Sequence, residues 1–260
     1  MNPSQTNPSR PDQTPRTALV TGASTGIGEA TVRALAGQGW QVFAVARRED
    51  RLAALAAQTG AVALAGDVTD DAAVARILDA VSSAGGVDTL INVAGGARGA
   101  DQLGQAKTED WEWMFQANVI GSMKLIRAFL PMLRAGRRGT VLNLTSTAAL
   151  VAYEGGAGYN AAKAAQRAMT QALRLEEVGN NLRVIEVLPG MVQTEEFALN
   201  RLGDRERAAQ VYRGVAEPLT AEDVADVVRY AVSLPHHVNL DEIVLRPVAQ
   251  AAAHKVVRDS

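Results

Sequence analysis

The sequence predicts an α/β fold in which a mostly parallel seven-stranded sheet is covered by helices on both faces. From residue 17 onwards, short apolar runs alternate with longer segments of helical periodicity. Most of these runs are apolar at successive positions, as expected for strands that are buried on both sides. With 260 residues the chain is long enough for a single large domain of this kind. We therefore predict one doubly wound domain over residues 17–260.

Each predicted strand except the last is followed by a predicted helix, which is the alternation that places strands parallel to one another. The predicted strands are residues 17–20 (TALV), 41–46 (QVFAVA), 61–65 (AVALA), 88–94 (DTLINVA), 140–146 (TVLNLTS), 182–188 (LRVIEVL) and 242–245. The predicted helices are residues 26–38, a segment with Leu52 and Leu55, a segment with Val74 and Ile77, a long region ending near 133, and residues 158–178 and 221–233. Thr220 and Asp223 form the Thr-x-x-Asp pattern of a helix cap.

The first 16 residues differ from the rest of the chain. They contain four prolines, and Met1 is their only apolar side chain, so they predict a disordered leader. They lack the apolar core of a secretory signal.

Composition excludes several classes of protein. The net charge of −2 argues against a nucleic-acid partner held by a basic face, and no apolar run is long enough to span a membrane. The absence of cysteine excludes a thiolate metal site and a cysteine nucleophile. The three histidines lie together near the end of the chain, which argues against a multi-histidine metal centre. We expect a cytoplasmic protein that needs no metal.

A glycine-rich turn follows the first predicted strand, in the sequence TGASTGIG. Gly22 allows a tight exit from the strand, Gly26 lets the backbone approach a ligand closely, and Gly28 permits close helix–strand contact. The free N–H groups of the following helix would bind a pyrophosphate. This placement predicts a Rossmann-type dinucleotide site, which would also include Ser24, Thr25 and Ile27.

The end of the second strand predicts which dinucleotide is bound. An acidic residue that would bind the ribose hydroxyls of NAD is missing there, and Arg47 and Arg48 follow Ala46 instead. A guanidinium can donate two parallel hydrogen bonds to a 2′-phosphate, which favours NADP. The alternative is two solvated surface arginines, although cations at a helix N-terminus oppose its dipole.

A tyrosine–lysine pair supplies a candidate general acid and base. Tyr159 and Lys163 are four residues apart and so share a helix face. A neighbouring ammonium favours the phenolate, so we expect Lys163 to lower the pKa of Tyr159. Ser146 ends the strand 13 residues earlier, and its hydroxyl could reach the same substrate oxygen.

Taken in order, these motifs resemble the short-chain dehydrogenase/reductase family, in its branch of about 250 residues. The motifs are TGASTGIG, Asp67-Val68, Asn92-Val93-Ala94-Gly95, Asn118, Ser146, YNAAK, and Pro189-Gly190 with Thr194. Val93 departs from the family pattern, which usually has a second asparagine there.

The resemblance implies roles for these residues. Asn118, Ser146, Tyr159 and Lys163 would form a catalytic tetrad, in which Asn118 holds a helix distortion and a water leading to Lys163. Lys163 would also bind the nicotinamide ribose. The remaining residues implied to contact the cofactor are Asp67, Val68, Asn92, Ala94, Gly95, Pro189, Gly190, Val192 and Thr194. The resemblance further implies a homo-oligomer, expected to be a tetramer.

The second half of the chain is also similar to bacterial NADP-dependent 3-hydroxy acid (serine) dehydrogenases. A polar segment at residues 195–215 predicts a mobile lid over the substrate, and within it Arg201 is the candidate partner of a substrate carboxylate. The resulting hypothesis is hydride transfer between NADP(H) and an alcohol/carbonyl pair, with a small 3-hydroxy acid as the candidate substrate. Two alternatives remain, an NADP-binding redox sensor or scaffold without turnover, and a carbonyl reductase acting on uncharged aldehydes or ketones.

Overall fold

A computed structural model describes residues 16–136 and 138–259. Within them, seven parallel strands form one sheet in the order β3-β2-β1-β4-β5-β6-β7. These strands are β1 (Thr17–Thr21), β2 (Gln41–Ala46), β3 (Val62–Ala65), β4 (Thr89–Asn92), β5 (Thr140–Leu144), β6 (Arg183–Pro189) and β7 (Glu242–Leu245). A small antiparallel hairpin follows, made of β8 (Gln250–Ala252) and β9 (Lys255–Val256).

Helices connect the strands and cover both faces of the sheet. They are α1 (Gly26–Ala36), α2 (Glu49–Thr59), α3 (Asp71–Ser83), α4 (Thr108–Phe115), α5 (Gly121–Ala135), α6 (Ala157–Glu177), α7 (Phe197–Leu202), α8 (Arg205–Tyr212) and α9 (Ala221–Ser233). The predicted α/β fold and the parallel sheet are therefore confirmed, and the hairpin β8–β9 is an element that the sequence pattern did not predict.

Successive side chains along each strand point to opposite faces of the sheet, so the core has two layers. In β1, Ala18 and Val20 pack on the face covered by α1, α2 and α9, whereas Leu19 packs on the other face. That second face is covered by α3, α5 and α6, through side chains such as Phe129 and Leu173. The predicted Thr220–Asp223 cap is present as a reciprocal capping box at the start of α9.

The predicted leader lies outside the described residues except for Arg16. The guanidinium of Arg16 lies 4.2 Å from the centre of the Trp40 ring and donates a 2.8 Å hydrogen bond to the Val232 carbonyl. Arg16, the last residue of the predicted leader, therefore packs against the domain. In the described ranges, we find no helix that combines the length and the apolar character needed to cross a membrane.

The predicted long helix before β5 is interrupted. A π-helical segment, Gln116–Ile120, separates α4 from α5 and contains the buried Asn118. A π segment shifts the backbone hydrogen bonds by one residue and often marks a functional site. The helical region also begins at Thr108, so a longer loop than predicted follows β4.

The order of strands changes direction between β1 and β4, and a crevice opens there at the carboxyl ends of the strands. The loops after β1, β4, β5 and β6 meet at this edge. The predicted lid follows β6 and forms α7 and α8. The chain beyond β7 contacts the segment before the lid and the end of the lid. Gln250 accepts a hydrogen bond from the Met191 N–H (2.7 Å), and the Asp259 N–H donates to the Gly214 carbonyl (2.7 Å).

Candidate active site

The glycine-rich turn has the geometry of an anion-binding cradle. Gly22 (φ +67°) and Gly26 (φ +53°) adopt the left-handed conformation that favours glycine. A Cβ atom on Gly28 would lie 2.2 Å from the Gly22 carbonyl oxygen, so only glycine fits there. The side chain of Thr25 makes no capping hydrogen bond to α1, which leaves the N–H groups of the first helical turn able to bind an anion.

Of the two predicted arginines, Arg48 is the one that contacts the glycine-rich turn. Its Nε and Nη2 atoms lie 3.2 and 3.0 Å from the Ser24 hydroxyl oxygen, and its Nη1 donates to the Glu196 carboxylate at 2.6 Å. The Arg47 side chain is 68% exposed and lies 4.0 Å from the Asp67 carboxylate. The prediction gave Arg47 first place, whereas the structure brings Arg48 and Ser24 together.

The ends of β1 and β4 are joined through one hydroxyl group. Thr21 Oγ1 accepts hydrogen bonds from the N–H groups of Val93 and Ala94, both at 3.0 Å. At the tip of the same loop, a Cβ atom on Gly95 (φ +153°) would lie 2.3 Å from the Asn118 side-chain oxygen. The loop therefore presents bare backbone beside the glycine-rich turn, as a bound dinucleotide requires.

Asn118 attaches this loop to the π segment. Its amide nitrogen donates to the carbonyls of Met114 (2.7 Å) and Gly96 (2.9 Å), and its side-chain oxygen accepts from the Gly96 N–H (3.1 Å). The distortion that the resemblance implied at Asn118 is present, with the amide group fully engaged. Asn92 lies deeper, where its amide donates to Asn143 in the neighbouring strand (2.9 Å).

The other residues implied to contact the cofactor lie on the same edge of the sheet. Asp67 follows β3, and its carboxylate accepts from the N–H and hydroxyl of Thr69 (2.9 and 2.8 Å). Val68 packs against Gly121 at the start of α5.

The chain after β6 returns over the glycine-rich turn. Gly190 follows Pro189 and donates to the Leu245 carbonyl (2.8 Å), and Val192 forms a bridge with Leu219. The methyl group of Thr194 would lie 3.3 Å from a Cβ atom placed on Gly26. The segment from Pro189 to Thr194 therefore closes one side of the crevice.

Ser146 and Tyr159 lie together at the floor of the crevice. The Ser146 hydroxyl accepts from the Ala148 N–H (3.1 Å) and donates to the Pro189 carbonyl (3.4 Å). Burial raises the pKa of Tyr159 above its ordinary value, and a hydrogen bond with Ser146 opposes that rise. Lys163 is predicted to lower this pKa, but its charge is not among the groups that offset the effect of burial. The ammonium lies 5.9 Å from the ring centre, and the removal of the phenol from water dominates.

Lys163 is buried, and two acceptors hold its ammonium. It donates to the Leu144 carbonyl (3.0 Å) and to the side-chain oxygen of Gln166 (2.9 Å). Burial lowers the pKa of Lys163 to about 7, and the charge of Glu186 on β6 opposes this decrease. Sequence reasoning missed both Gln166 and Glu186, although a polar residue three positions after Lys163 falls on the same helix face.

A cleft opens beside Tyr159 and is the candidate substrate site. Its lining includes Arg98, Asp110, Trp111, Gly99 and Gly155.

The predicted substrate residue Arg201 lies at the edge of this cleft. It donates to the carbonyls of Gly99 (3.2 Å) and Gly155 (2.7 Å) and to the Tyr153 hydroxyl (3.2 Å). These contacts join α7 of the lid to two loops of the sheet edge and use three of the five N–H groups of the guanidinium.

Comparisons with known proteins agree with this geometry. The family model described as short chain dehydrogenase matches residues 16–203. An uncharacterized oxidoreductase of Mycobacterium tuberculosis is 51% identical over 241 residues, which is 92% of this chain and 94% of that protein. A serine 3-dehydrogenase of Agrobacterium fabrum is 37% identical over 248 residues, 94% of this chain and 99% of that protein. The solved structure of a closed serine dehydrogenase complexed with NADP⁺ superposes with a TM-score of 0.88 at 35% identity, covering 94% of this chain and all of that one.

Proposed function

The chain belongs to the short-chain dehydrogenase family, and we propose that it uses NADP(H) to interconvert a small 3-hydroxy acid and its oxo partner. One observation carries the proposal: the Ser146 and Tyr159 side chains and the buried ammonium of Lys163 share the crevice with the glycine-rich turn. A general acid therefore lies beside a dinucleotide cradle, which is the arrangement that hydride transfer to a carbonyl requires.

The residues of the crevice fit NADP. The N-terminus of α1 and Gly26 would hold the pyrophosphate, and Arg48 with Ser24 would bind the 2′-phosphate. The relative whose structure contains NADP⁺ supports this choice of dinucleotide. We propose that the cofactor is also contacted by Gly22, Thr25, Ile27, Gly28, Asp67, Val68, Asn92, Ala94, Gly95, Tyr159, Lys163, Pro189, Gly190, Val192 and Thr194. The exposed Arg47 is left out of this set, because Arg48 is the arginine that contacts Ser24. When bound, NADPH supplies the hydride.

We assign Tyr159 as the proton donor during reduction. Its hydroxyl would donate to the substrate oxygen, while the Ser146 hydroxyl hydrogen-bonds the same oxygen and orients it. The Lys163 ammonium would stabilise the phenolate that remains after proton transfer. Burial disfavours that phenolate, and the hydrogen bond with Ser146 and the charge of Arg201 oppose the effect of burial. Asn118 would act by fixing the loop that borders the nicotinamide position.

The substrate class rests on Arg201 and on the relatives named for serine, itself a 3-hydroxy acid. Two N–H groups of Arg201 beyond those named above could bind a carboxylate at the edge of the cleft. A second candidate function is reduction of uncharged aldehydes or ketones. It is favoured by the three protein contacts of Arg201, since a guanidinium that ties the lid to the sheet edge could serve structure alone.

A substrate panel tests the proposal and separates these two candidates. Purified protein is given NADPH with oxo acids and with neutral aldehydes of matched length, and NADPH absorbance is followed. Arg201→Ala should raise KM for the oxo acid by about tenfold and leave the neutral aldehyde unchanged, as expected for one charge-assisted contact. Arg205→Ala, an exposed arginine in the same lid, is the matched control and should change neither. Turnover of neutral aldehydes alone would replace the hydroxy acid with the second candidate. No turnover of any carbonyl, with NADPH still bound, would favour the redox sensor or scaffold.

We also propose that the chain forms a homotetramer in the cytoplasm. Phe115 on α4 is 45% exposed and borders a shallow depression with Trp111 and Ala161, which a second copy would cover. Light scattering at micromolar concentration should give four times the chain mass. A monomer mass would contradict this part of the proposal.

A further inference from the structure

Gln166 lies directly behind the candidate tetrad. It is fully buried on α6, one turn after Lys163 and on the same face of the helix. Its side-chain oxygen accepts from the Lys163 ammonium at 2.9 Å, and its amide nitrogen donates to the Ser122 hydroxyl at 3.1 Å. The Ser122 hydroxyl in turn donates to the Asn118 carbonyl at 3.0 Å.

We propose that Gln166 is a positioning residue that fixes the Lys163 ammonium relative to the π segment carrying Asn118. The inference rests on the proposed function, because it concerns the lysine assigned there. Each donor in this chain of hydrogen bonds points towards Asn118, from Lys163 through Gln166 and Ser122. The side chains of Gln166 and Ser122 therefore connect the Lys163 ammonium with the Asn118 backbone carbonyl.

An amide at position 166 satisfies both of its neighbours. An ammonium has three donors and no acceptor, so an oxygen faces it. The Ser122 hydroxyl uses its hydrogen on the Asn118 carbonyl, and its oxygen accepts from the Gln166 amide nitrogen. A leucine would leave the ammonium with the Leu144 carbonyl as its one remaining named acceptor, in a site where an unpaired charge is costly.

The titratable neighbours of Lys163 include Glu186 and Tyr159. Glu186 approaches from β6 and favours the ammonium, while Tyr159 lies one turn earlier on α6. Loss of the Gln166 acceptor removes a hydrogen bond to the charged form, so Gln166→Leu should lower the pKa of Lys163 below about 7. Gln166→Glu should raise it, because a carboxylate favours the ammonium more strongly than an amide does.

The experiment follows the titration of Lys163 directly, without needing turnover. The full chain is labelled with lysine carrying ¹³C at Cε, and Lys163→Met assigns the resonance. The Lys163 midpoint should fall by about one pH unit in Gln166→Leu and rise in Gln166→Glu. Thr170→Val is the matched control. Thr170 is equally buried one turn further along α6 but bonds Asn143 and the Gln166 backbone, so this variant should leave the midpoint unchanged.

Kinetics supply the second measurement. In Gln166→Leu, kcat/KM with NADPH should fall by about tenfold at neutral pH, the loss expected for one hydrogen bond to a charged group. In the pH profile of kcat/KM, the decrease on the alkaline side should begin at lower pH in Gln166→Leu than in the wild type. Gln166→Glu should return this decrease to higher pH. An unchanged Lys163 midpoint in either folded variant would overturn the inference. A shifted midpoint in a chain that never oxidises NADPH would uphold the positioning role and refute the proposed function instead.

Discussion

Replacement of Arg48 is the sharpest test of how the crevice would select its dinucleotide. The guanidinium lies within 3.0 Å of the Ser24 hydroxyl and 2.6 Å of the Glu196 carboxylate, at the end of β2 where a 2′-phosphate would sit. Arg48→Ala removes this charge, and Arg48→Asp reverses it. Arg47→Ala is the matched control, because that neighbouring side chain points largely into solvent.

The expected magnitude follows from the contact that would be lost. A hydrogen bond to a charged group contributes about 1.5–3 kcal/mol. The Arg48 side chain is 38% exposed, so solvent screens the interaction and the lower value applies. About 1.5 kcal/mol corresponds to roughly tenfold in KM for NADPH. NADH lacks the phosphate, so its KM should stay constant.

Steady-state kinetics with both cofactors provide the assay. The wild-type chain should favour NADPH over NADH by at least about tenfold in kcat/KM. Arg48→Ala should remove most of this preference, and Arg48→Asp should abolish or invert it. Arg47→Ala should stay within about twofold of wild type. If Arg47→Ala destroyed the preference while Arg48→Ala kept it, the phosphate contact would belong to Arg47 and the reasoning from geometry would be refuted.

Two further substitutions test neighbouring parts of the site. Lys163→Met should raise KM for NADPH and lower kcat, each by about tenfold or more. Both should change because the ammonium is assigned to bind the nicotinamide ribose and to stabilise the Tyr159 phenolate. An effect on kcat alone would contradict the assigned contact with the ribose. Glu196→Gln should tighten NADPH binding by about threefold, as measured by fluorescence titration. The Glu196 carboxylate forms ion pairs with Arg48 (2.6 Å) and Arg51 (3.2 Å), and its negative charge would repel the 2′-phosphate. Glu195→Gln is the control for the latter, since that exposed carboxylate reaches only Arg51 (3.4 Å), and weaker NADPH binding in Glu196→Gln would contradict the repulsion.

Most of the fold could be predicted from the sequence because its signals are local. Buried parallel strands must be apolar at successive positions, so residues such as Val141, Leu142 and Val184 identify β5 and β6 without any tertiary information. The hairpin β8–β9 escaped prediction because its strands have only three and two residues, too few to show a period.

The parts of the site that escaped prediction depend on distant contacts. The family resemblance implied a helix distortion at Asn118, but the local sequence QANVI does not indicate it, because the π segment forms where Asn118 bonds Gly96, 22 residues away. Which of two adjacent arginines turns inward depends on Ser24 and on Glu196, 148 positions away along the chain. Gln166 had the right helical spacing, but its burial and its Ser122 partner are tertiary facts.

Substitution of Tyr159 by phenylalanine tests the central claim most directly, because it removes one hydroxyl and leaves the ring that packs edge-on against Phe197. NADPH affinity is measured by fluorescence titration and turnover by NADPH absorbance, on the same preparation and with the best substrate of the panel. We expect nearly unchanged NADPH binding and a loss of kcat of roughly 10²–10⁴-fold, the contribution of a general acid. A variant that retained more than about a tenth of the wild-type rate would contradict the assignment of Tyr159 as the proton donor.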